Sequence, residues 1–77
     1  MELNEEQFIK RFGKHLRQLR TSRKLSQEQL ANDADVPINQ IGRIERGEIK
    51  TTIGTLYVIA RALNLSVKAL FDFEIDN

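Results

Sequence analysis

Apolar residues recur along most of the chain at the spacing of one helix face. The apolar stripe of the first predicted helix, residues 5–22, consists of Phe8, Phe12, Leu16 and Leu19. A later helix is predicted after Thr52, which can cap it, and its stripe consists of Ile53, Leu56, Ile59, Ala60 and Leu63. Spacings of three and four residues place each set on one side of a helix. Because no segment shows sustained strand alternation, the sequence predicts an all-α protein with short connections.

Two shorter helices joined by a tight turn are predicted between residues 26 and 47. Ser26 can cap the first of them, because Gln29 stands three positions later, where a capping box requires Glu or Gln. Pro37 suits the first position of the second helix, where no backbone donor is needed. Gly47 can end that helix as a C-cap.

The second helix of this pair has a divided surface. Ile41 and Ile44 are three positions apart and should face the core, whereas Asn39, Gln40 and Arg43 fall on other faces. The polar side chains are therefore expected to point outward. A helix pair of this size with an outward polar edge fits the major groove of duplex DNA.

A fifth short helix is predicted near the end of the chain. Asn64 can adopt the left-handed conformation that ends the preceding helix, and Ser66 can cap the next one. We expect a compact five-helix arrangement in a single domain over residues 1–77. Its core covers about residues 8–71, and residues 72–77 form an acidic and apolar tail.

Three motifs in this chain resemble those of the XRE family, the lambda-repressor-like or Cro-like helix-turn-helix proteins. They are LSQEQLA, IERG and ARALNLS, at the family's mutual distances, and the resemblance covers roughly residues 8–71. It implies a lambda-repressor-like DNA-binding domain. The implied function is that of a sequence-specific transcriptional regulator, which binds operator half-sites of double-stranded DNA as a dimer with its third helix in the major groove. The short members of the family include restriction–modification controller proteins and phage-type repressors.

The resemblance assigns base recognition to the start of the third helix, at Ile38, Asn39, Gln40 and Arg43. Amide side chains can bond adenine, and a guanidinium favours guanine. Ile38 departs from the polar residue that the family often has there, although it can pack on a thymine methyl group. Gly42 is a second departure, since a glycine inside a helix costs about 1 kcal/mol relative to alanine.

Phosphate contacts are expected at both ends of the helix pair. The family uses the glutamine that matches Gln27 in this way, at the start of the second helix, where backbone N–H groups also attract anions. The other end is surrounded by the cationic or hydroxyl side chains of Arg46, Lys50, Thr51 and Thr52. Ordinary surface charge is the alternative interpretation of the two cations.

The family also pairs an arginine of the first helix with a glutamate of the third, and the matching residues are Arg20 and Glu45. Such a pair would fix the recognition helix against the first helix. Desolvation offsets much of the attraction between buried charges, so the pair need not add net stability. We interpret Arg20 as structural and not as a phosphate contact.

Charge is nearly balanced overall but unevenly distributed. The formal net charge is +1, yet residues 10–24 carry seven lysines and arginines and no acid, whereas the tail, FDFEID, carries three acids. This separation permits a phosphate-binding face over residues 10–24. A solvated helix face is an equally weighted alternative.

Several classes of site and location are disfavoured. The chain has no cysteine and a single histidine, so we expect neither a disulfide nor a metal site, and no cofactor. No set of nucleophile, base and orienting group suggests an enzyme. No apolar run reaches membrane-spanning length, and the acidic start is unlike a secretory signal. We expect a cytoplasmic protein without a membrane partner, and no small-molecule effector is indicated.

Dimerisation is expected because small helix-turn-helix proteins usually bind two half-sites about 34 Å apart. The candidate interface consists of Tyr57, Leu65, Val67, Leu70, Phe71, Phe73 and Ile75. The last three of these alternate with acids, which is typical of a short extended arm or strand. A frayed tail is the competing interpretation.

Two other functions remain open at this point. An antitoxin that autoregulates its operon would also bind a toxin, and only the short tail is left over for that contact. A protein-interaction module that kept the fold and lost DNA binding is compatible with the near-neutral charge.

Overall fold

The computed structural model describes residues 3–73, and it is all-α over this range. The elements in chain order are α1 (Glu5–Ser22), α2 (Gln27–Ala34), α3 (Ile38–Glu45), α4 (Ile53–Ala62) and a short 3-10 helix (Val67–Phe71). The predicted fold class is confirmed. The fifth element is a 3-10 helix, however, and Ser66 stands at its N-cap position without a side-chain capping bond.

Local capping explains where α2 and α4 begin. The Ser26 hydroxyl accepts the Gln29 N–H at 3.0 Å, and the Gln29 side chain accepts the Ser26 N–H at 2.7 Å. Thr52 caps α4 by accepting the Thr55 N–H at 3.1 Å. Both caps were predicted, and each satisfies N–H groups that would otherwise lack an intrahelical partner.

The turn between α2 and α3 differs from the prediction at Pro37. Pro37 occupies the N-cap of α3, one position before the first helical residue, with an extended ψ of 139°. Its carbonyl accepts the N–H groups of Gln40 and Ile41 at 3.0 and 3.3 Å, so it starts the helix from outside. A proline is tolerated there because this position needs an acceptor and no donor. Asp35, with a φ of 58°, ends α2 in the left-handed region.

The core draws on every helix. Its completely buried large side chains are Leu16, Leu30, Ile41, Ile44, Ile59, Leu63 and Leu70. The expectation that Ile41 and Ile44 face inward is therefore confirmed. Ile53 is different, because it was predicted on the apolar stripe of α4 and is 84% exposed. As the first residue of α4, it lies beyond the part of that helix that α2 and the 3-10 helix cover.

Two glycines allow α1 to approach the region around α3. Gly13 is buried, and a Cβ there would lie 2.6 Å from the carbonyl oxygen of Glu45 and closer still to that of Ile44. Gly47, just after α3, has a φ of +72°, and a Cβ on it would lie 2.8 Å from the Cα of Lys10. At Gly13 these contacts are with backbone atoms, and at Gly47 they are with the Cα and the side chain of Lys10, so both glycines let α1 pack directly on the recognition region.

The end of the described chain folds back onto α1. Phe73 lies 5.6 Å from the ring of Phe8, and Phe71 lies 5.1 Å from that of Phe12. His15 bonds to the carbonyl oxygen of Ala69 through Nε2 at 3.0 Å. The predicted extended arm is therefore wrong for Phe71, which is helical, and for Phe73, which packs on its own chain. Ile75 lies outside the described residues.

Candidate nucleic-acid interface

The four predicted base-reading residues lie on the outer side of α3. Asn39 and Arg43 are exposed, Gln40 is half-buried, and Ile38 keeps 49% of its surface exposed. The opposite side of the helix is fixed in the core by its two buried isoleucines, one of them Ile41. A rigid helix thus presents amide, guanidinium and apolar groups to solvent along one edge.

Glu45, the last residue of α3, forms the predicted ion pair with Arg20 of α1. The guanidinium Nε and Nη2 donate to the two carboxylate oxygens at 2.7 and 3.0 Å, and Nη1 donates to the Leu25 carbonyl oxygen at 2.7 Å. The side chains are only 9% and 2% exposed. Arg20 is therefore fully engaged inside the protein, as the structural interpretation expected.

Gln27, the first residue of α2, joins the same network. Its side-chain amide donates to Glu45 Oε1 at 3.0 Å, so one carboxylate connects α1, α2 and α3. This bond was not predicted from the sequence. The two residues are 18 positions apart, and no local spacing rule relates side chains at that separation. The bond holds the Gln27 side chain at the start of α2, beside the exposed edge of α3.

Arg46 lies across the end of α3 with its guanidinium against Gly42. A Cβ on Gly42 would come within 3.0 Å of Arg46 Nη1, and 3.5 Å from the Gln27 side-chain oxygen. Gly42 is buried, and the Arg46 guanidinium lies over it. Because glycine has no side chain, Arg46 has room to pack on α3, and this packing gives a physical reason for a glycine at this position.

Glu48 pairs with Arg46 through two contacts, Nε to Oε2 at 2.8 Å and Nη2 to Oε1 at 3.3 Å. Arg43 Nε lies 4.0 Å from Glu48 Oε1. The hydrogen bond from Arg46 lowers the pKa of the Glu48 carboxyl, and the same bond raises the pKa of Arg46. Arg46 and Glu48 are therefore both charged at neutral pH. The side chains of Arg43, Arg46 and Glu48 are each about half exposed.

The remaining predicted phosphate contacts lie in the segment between α3 and α4. Lys50 Nζ is 3.1 Å from Glu5 Oε2 in an exposed pair. The Thr51 hydroxyl is buried and has no hydrogen-bond partner among residues 3–73. The Thr52 hydroxyl already caps α4 and also donates to Thr55 Oγ1 at 3.0 Å. A phosphate contact through this hydroxyl would have to replace one of those bonds.

The basic segment of α1 is divided between structural and solvent-facing cations. Arg20 bonds Glu45, and Arg23 Nε donates to the Leu63 carbonyl oxygen at 2.8 Å. The exposed members of the segment are Lys10, Arg11, Lys14, Arg17, Arg23 and Lys24, although one Arg23 nitrogen is bound to the backbone. The positive surface is therefore smaller than the sequence count suggests.

The predicted dimer residues do not form one exposed patch. Leu70 is completely buried, so its assignment to an interface is wrong: a side chain in the core has no surface to offer a partner. Tyr57 and Phe71 are exposed. The half-buried members packed against the core are Leu65, Val67 and Phe73. Ile53, which the sequence analysis placed inward, is one turn from Tyr57 and more exposed.

Other kinds of site find little support in residues 3–73. No helix in this range is long and apolar enough to cross a bilayer. Within the same range, no three histidine, aspartate or glutamate side chains are grouped to hold a metal ion.

Comparison with known proteins agrees with this geometry. Residues 16–70 match the HTH_3 helix-turn-helix family model. Control protein C.SmaI of Serratia marcescens is 42% identical over 58 residues, which cover 75% of this chain and 69% of that protein. Control protein C.BamHI of Bacillus amyloliquefaciens is 38% identical over 63 residues, covering 80% of this chain and 78% of the relative.

A solved structure extends the likeness to three dimensions. The restriction-modification controller protein C.AhdI from Aeromonas hydrophila superposes with a TM-score of 0.81 at 35% identity, covering 82% of this chain and 96% of that one. These relatives are control or controller proteins, in agreement with the prediction of a regulator rather than an enzyme. The chain belongs to the HTH_3 (XRE) family of helix-turn-helix DNA-binding transcriptional regulators.

Proposed function

We propose that this protein binds operator half-sites in double-stranded DNA as a dimer, with α3 in the major groove. One observation carries the proposal: the outer edge of α3 presents Asn39, Gln40 and Arg43 to solvent, while Glu45 fixes the same helix to α1 and α2. Base recognition needs side chains that are both available and rigidly positioned. The arrangement of α3 supplies both properties.

Base recognition is assigned to four residues with different chemistry. Asn39 and Gln40 can each donate to and accept from an adenine edge, and Arg43 can donate two bonds to guanine. Ile38, half of whose surface is exposed, can pack on a thymine methyl group. Each good bidentate contact discriminates against a wrong base by about 1–3 kcal/mol.

Phosphate contacts would hold α3 in register from both sides. Gln27 and the first N–H groups of α2 lie at one end, where the helix dipole favours an anion. Arg46 lies against Gly42 near the Gln27 side chain, and Lys50 is exposed in the segment after α3; both cations are proposed to bind the neighbouring strand. The Thr51 hydroxyl is buried and the Thr52 hydroxyl already bonds Thr55, so a phosphate contact from either one requires DNA to displace its present surroundings. Such contacts fix orientation and carry no sequence information directly.

Selection of bound duplexes from a random library tests the proposal. We expect one enriched sequence with two-fold symmetry and half-sites about one helical turn apart. The logarithm of its binding constant should fall linearly with the logarithm of salt concentration, with a slope of about −0.9 for each phosphate contacted. If no duplex were enriched even at low salt, the proposed function would be rejected.

A dimer is also an energetic requirement, because one domain of this size reaches few base pairs. We assign the contact to an exposed apolar strip on α4, Ile53 and Tyr57, which lie one turn apart. Phe71 of the 3-10 helix is exposed as well. Apolar and aromatic side chains of this kind are enriched at interface cores.

Ile53→Lys should abolish the dimer without unfolding the protein. Because Ile53 is 84% exposed, its replacement disturbs little of the core, whereas a lysine ammonium cannot be buried unpaired at a two-fold contact. Sedimentation should report a monomer with an unchanged melting temperature. The matched control is Asn32→Lys, an exposed position on α2. A dimer mass retained by Ile53→Lys would refute this interface.

A further inference from the structure

An acidic side chain stands among the cations of the proposed DNA-binding surface. The Glu48 carboxylate makes two contacts with the Arg46 guanidinium, at 2.8 and 3.3 Å, and lies 4.0 Å from Arg43 Nε. The first arginine is a proposed phosphate contact and the second a proposed base contact. A carboxylate in this place repels DNA phosphates and occupies donors that the DNA would use.

The backbone fixes this carboxylate where it is. The Glu48 N–H donates to the Arg43 carbonyl oxygen at 2.9 Å, closing the turn after α3. The preceding Gly47 has a φ of +72°, a conformation that residues with a Cβ rarely adopt. The Glu48 side chain therefore extends from a point next to the end of α3, and its carboxylate can reach both Arg43 and Arg46.

Gly42 fixes the other half of the pair. Any side chain at this position would meet Arg46 Nη1 at 3.0 Å. With glycine, the guanidinium lies against the helix and presents two of its nitrogens to Glu48. The lowered pKa of Glu48 keeps the carboxylate ionised at neutral pH. Gly42 thus gives Arg46 the room to form its ion pair with Glu48 on a surface that faces solvent.

We propose that Glu48 limits the affinity of this protein for DNA by holding Arg46, and at longer range Arg43, as an internal substitute for a phosphate group. Binding then requires an exchange in which a DNA phosphate replaces the carboxylate as the partner of Arg46. This inference rests on the proposed function. It makes Glu48 a positioning residue, since it acts on DNA through the arginines.

The exchange has a consequence for ionic strength. When a phosphate replaces Glu48 on Arg46, the counterion released from DNA is offset by the cation that the freed carboxylate attracts, so the exchange contributes little to the salt dependence of binding. Without the carboxylate charge, the Arg46 contact releases a counterion with no such offset. The slope of binding against salt should then steepen by about 0.9.

Glu48→Gln is the test, because glutamine keeps the size of the side chain and removes its charge. With the duplex selected above, we expect this variant to bind about tenfold more tightly at 50 mM salt and only about threefold more tightly at 200 mM. A duplex of unrelated sequence should gain by a similar factor, since phosphates are common to both. The melting temperature should not change, because the pair is exposed.

Two controls separate this role from a general charge effect. Asp33→Asn makes the same charge change on the part of α2 that lines a surface with Arg61 of α4, and it should change binding less than Glu48→Gln. Arg46→Gln should weaken binding by itself, and Glu48→Gln should give a clearly smaller gain in that background, because only its longer-range effect on Arg43 remains. Such non-additivity is the signature of direct coupling between the two side chains.

The outcomes are distinct. Tighter binding by Glu48→Gln, with a steeper salt slope and a reduced gain in the Arg46→Gln background, supports the inference. Equal or weaker binding by Glu48→Gln, a gain matched by Asp33→Asn, or a gain that is undiminished without Arg46 overturns it while leaving the proposed function intact. Failure of the unsubstituted protein to bind any duplex rejects the proposed function and the inference together.

Discussion

Glu45→Ala is expected to lower the free energy of unfolding by about 3–5 kcal/mol, the range for removing one partner of a buried ion pair. Glu45 accepts two bonds from Arg20 and one from Gln27, and its side chain is only 2% exposed. Without it, the Arg20 guanidinium is left buried and without its carboxylate. The hydrogen bonds through which Glu45 joins α3 to both α1 and α2 are then lost.

The same substitution should weaken DNA binding, because Gln27 and the recognition helix lose a common support. Thermal denaturation and binding to the selected duplex measure the two effects. Asn39→Ala is the matched control. Because this side chain is exposed, the variant should bind the selected duplex more weakly and keep the melting temperature of the unsubstituted protein. An unchanged melting temperature for Glu45→Ala would contradict the role assigned to the pair.

Gly13→Ala should destabilise the protein by about 3 kcal/mol, at the upper end of the usual cost of overpacking. The opposite sign would be expected for a solvent-exposed helix interior, where alanine is favoured over glycine by about 1 kcal/mol. Here the new Cβ would lie 2.6 Å from the Glu45 carbonyl oxygen and even closer to that of Ile44. Neither backbone oxygen can move without shifting α3 away from α1.

Gly54→Ala provides the comparison on the same chain. Gly54 is exposed in the first turn of α4, and the nearest atom to its Cβ position is Thr52 Oγ1 at 3.9 Å. This change should be neutral or stabilise the fold by up to about 1 kcal/mol. Urea denaturation of both variants decides the matter. If Gly13→Ala were as stable as Gly54→Ala, the close approach of α1 and α3 would be refuted.

The elements that could be predicted from sequence are those whose causes are local. Ser26 and Thr52 cap helices through residues three positions away, and Asn64 takes the left-handed conformation (φ 59°) that its short side chain permits. The inward faces of α1 and α3 follow from helical spacing alone. These features need no knowledge of what packs against them.

The features that sequence analysis missed depend on contacts between distant segments. From sequence alone, Gly13 is an unfavourable residue inside a helix, and its role becomes clear only when α3 packs against it. Ile53 belongs to an apolar stripe whose first turn is left uncovered by the helices within residues 3–73. Leu70 was assigned to an interface, although it completes the core. Spacing along one helix cannot tell which part of its apolar face a neighbouring element will cover.

The candidate site shows the same division. The resemblance to the XRE family identified the outer edge of α3 and the pair of Arg20 with Glu45. The role of Gly42 could not be predicted, because it depends on Arg46 folding back over the helix. The role of Glu48 could not be predicted either, because it depends on the contacts of its carboxylate with Arg46 and Arg43.

If the outer edge of α3 recognises bases, Arg43→Ala should change the sequence preference of the protein, and repeating the duplex selection with this variant measures that change. We expect one base position in each half-site to lose its preference and the other positions to keep theirs, and we expect the free energy of binding to the original site to weaken by about 1–3 kcal/mol. Unchanged preferences at every position, with unchanged affinity, would show that the protein recognises DNA through another surface or not at all.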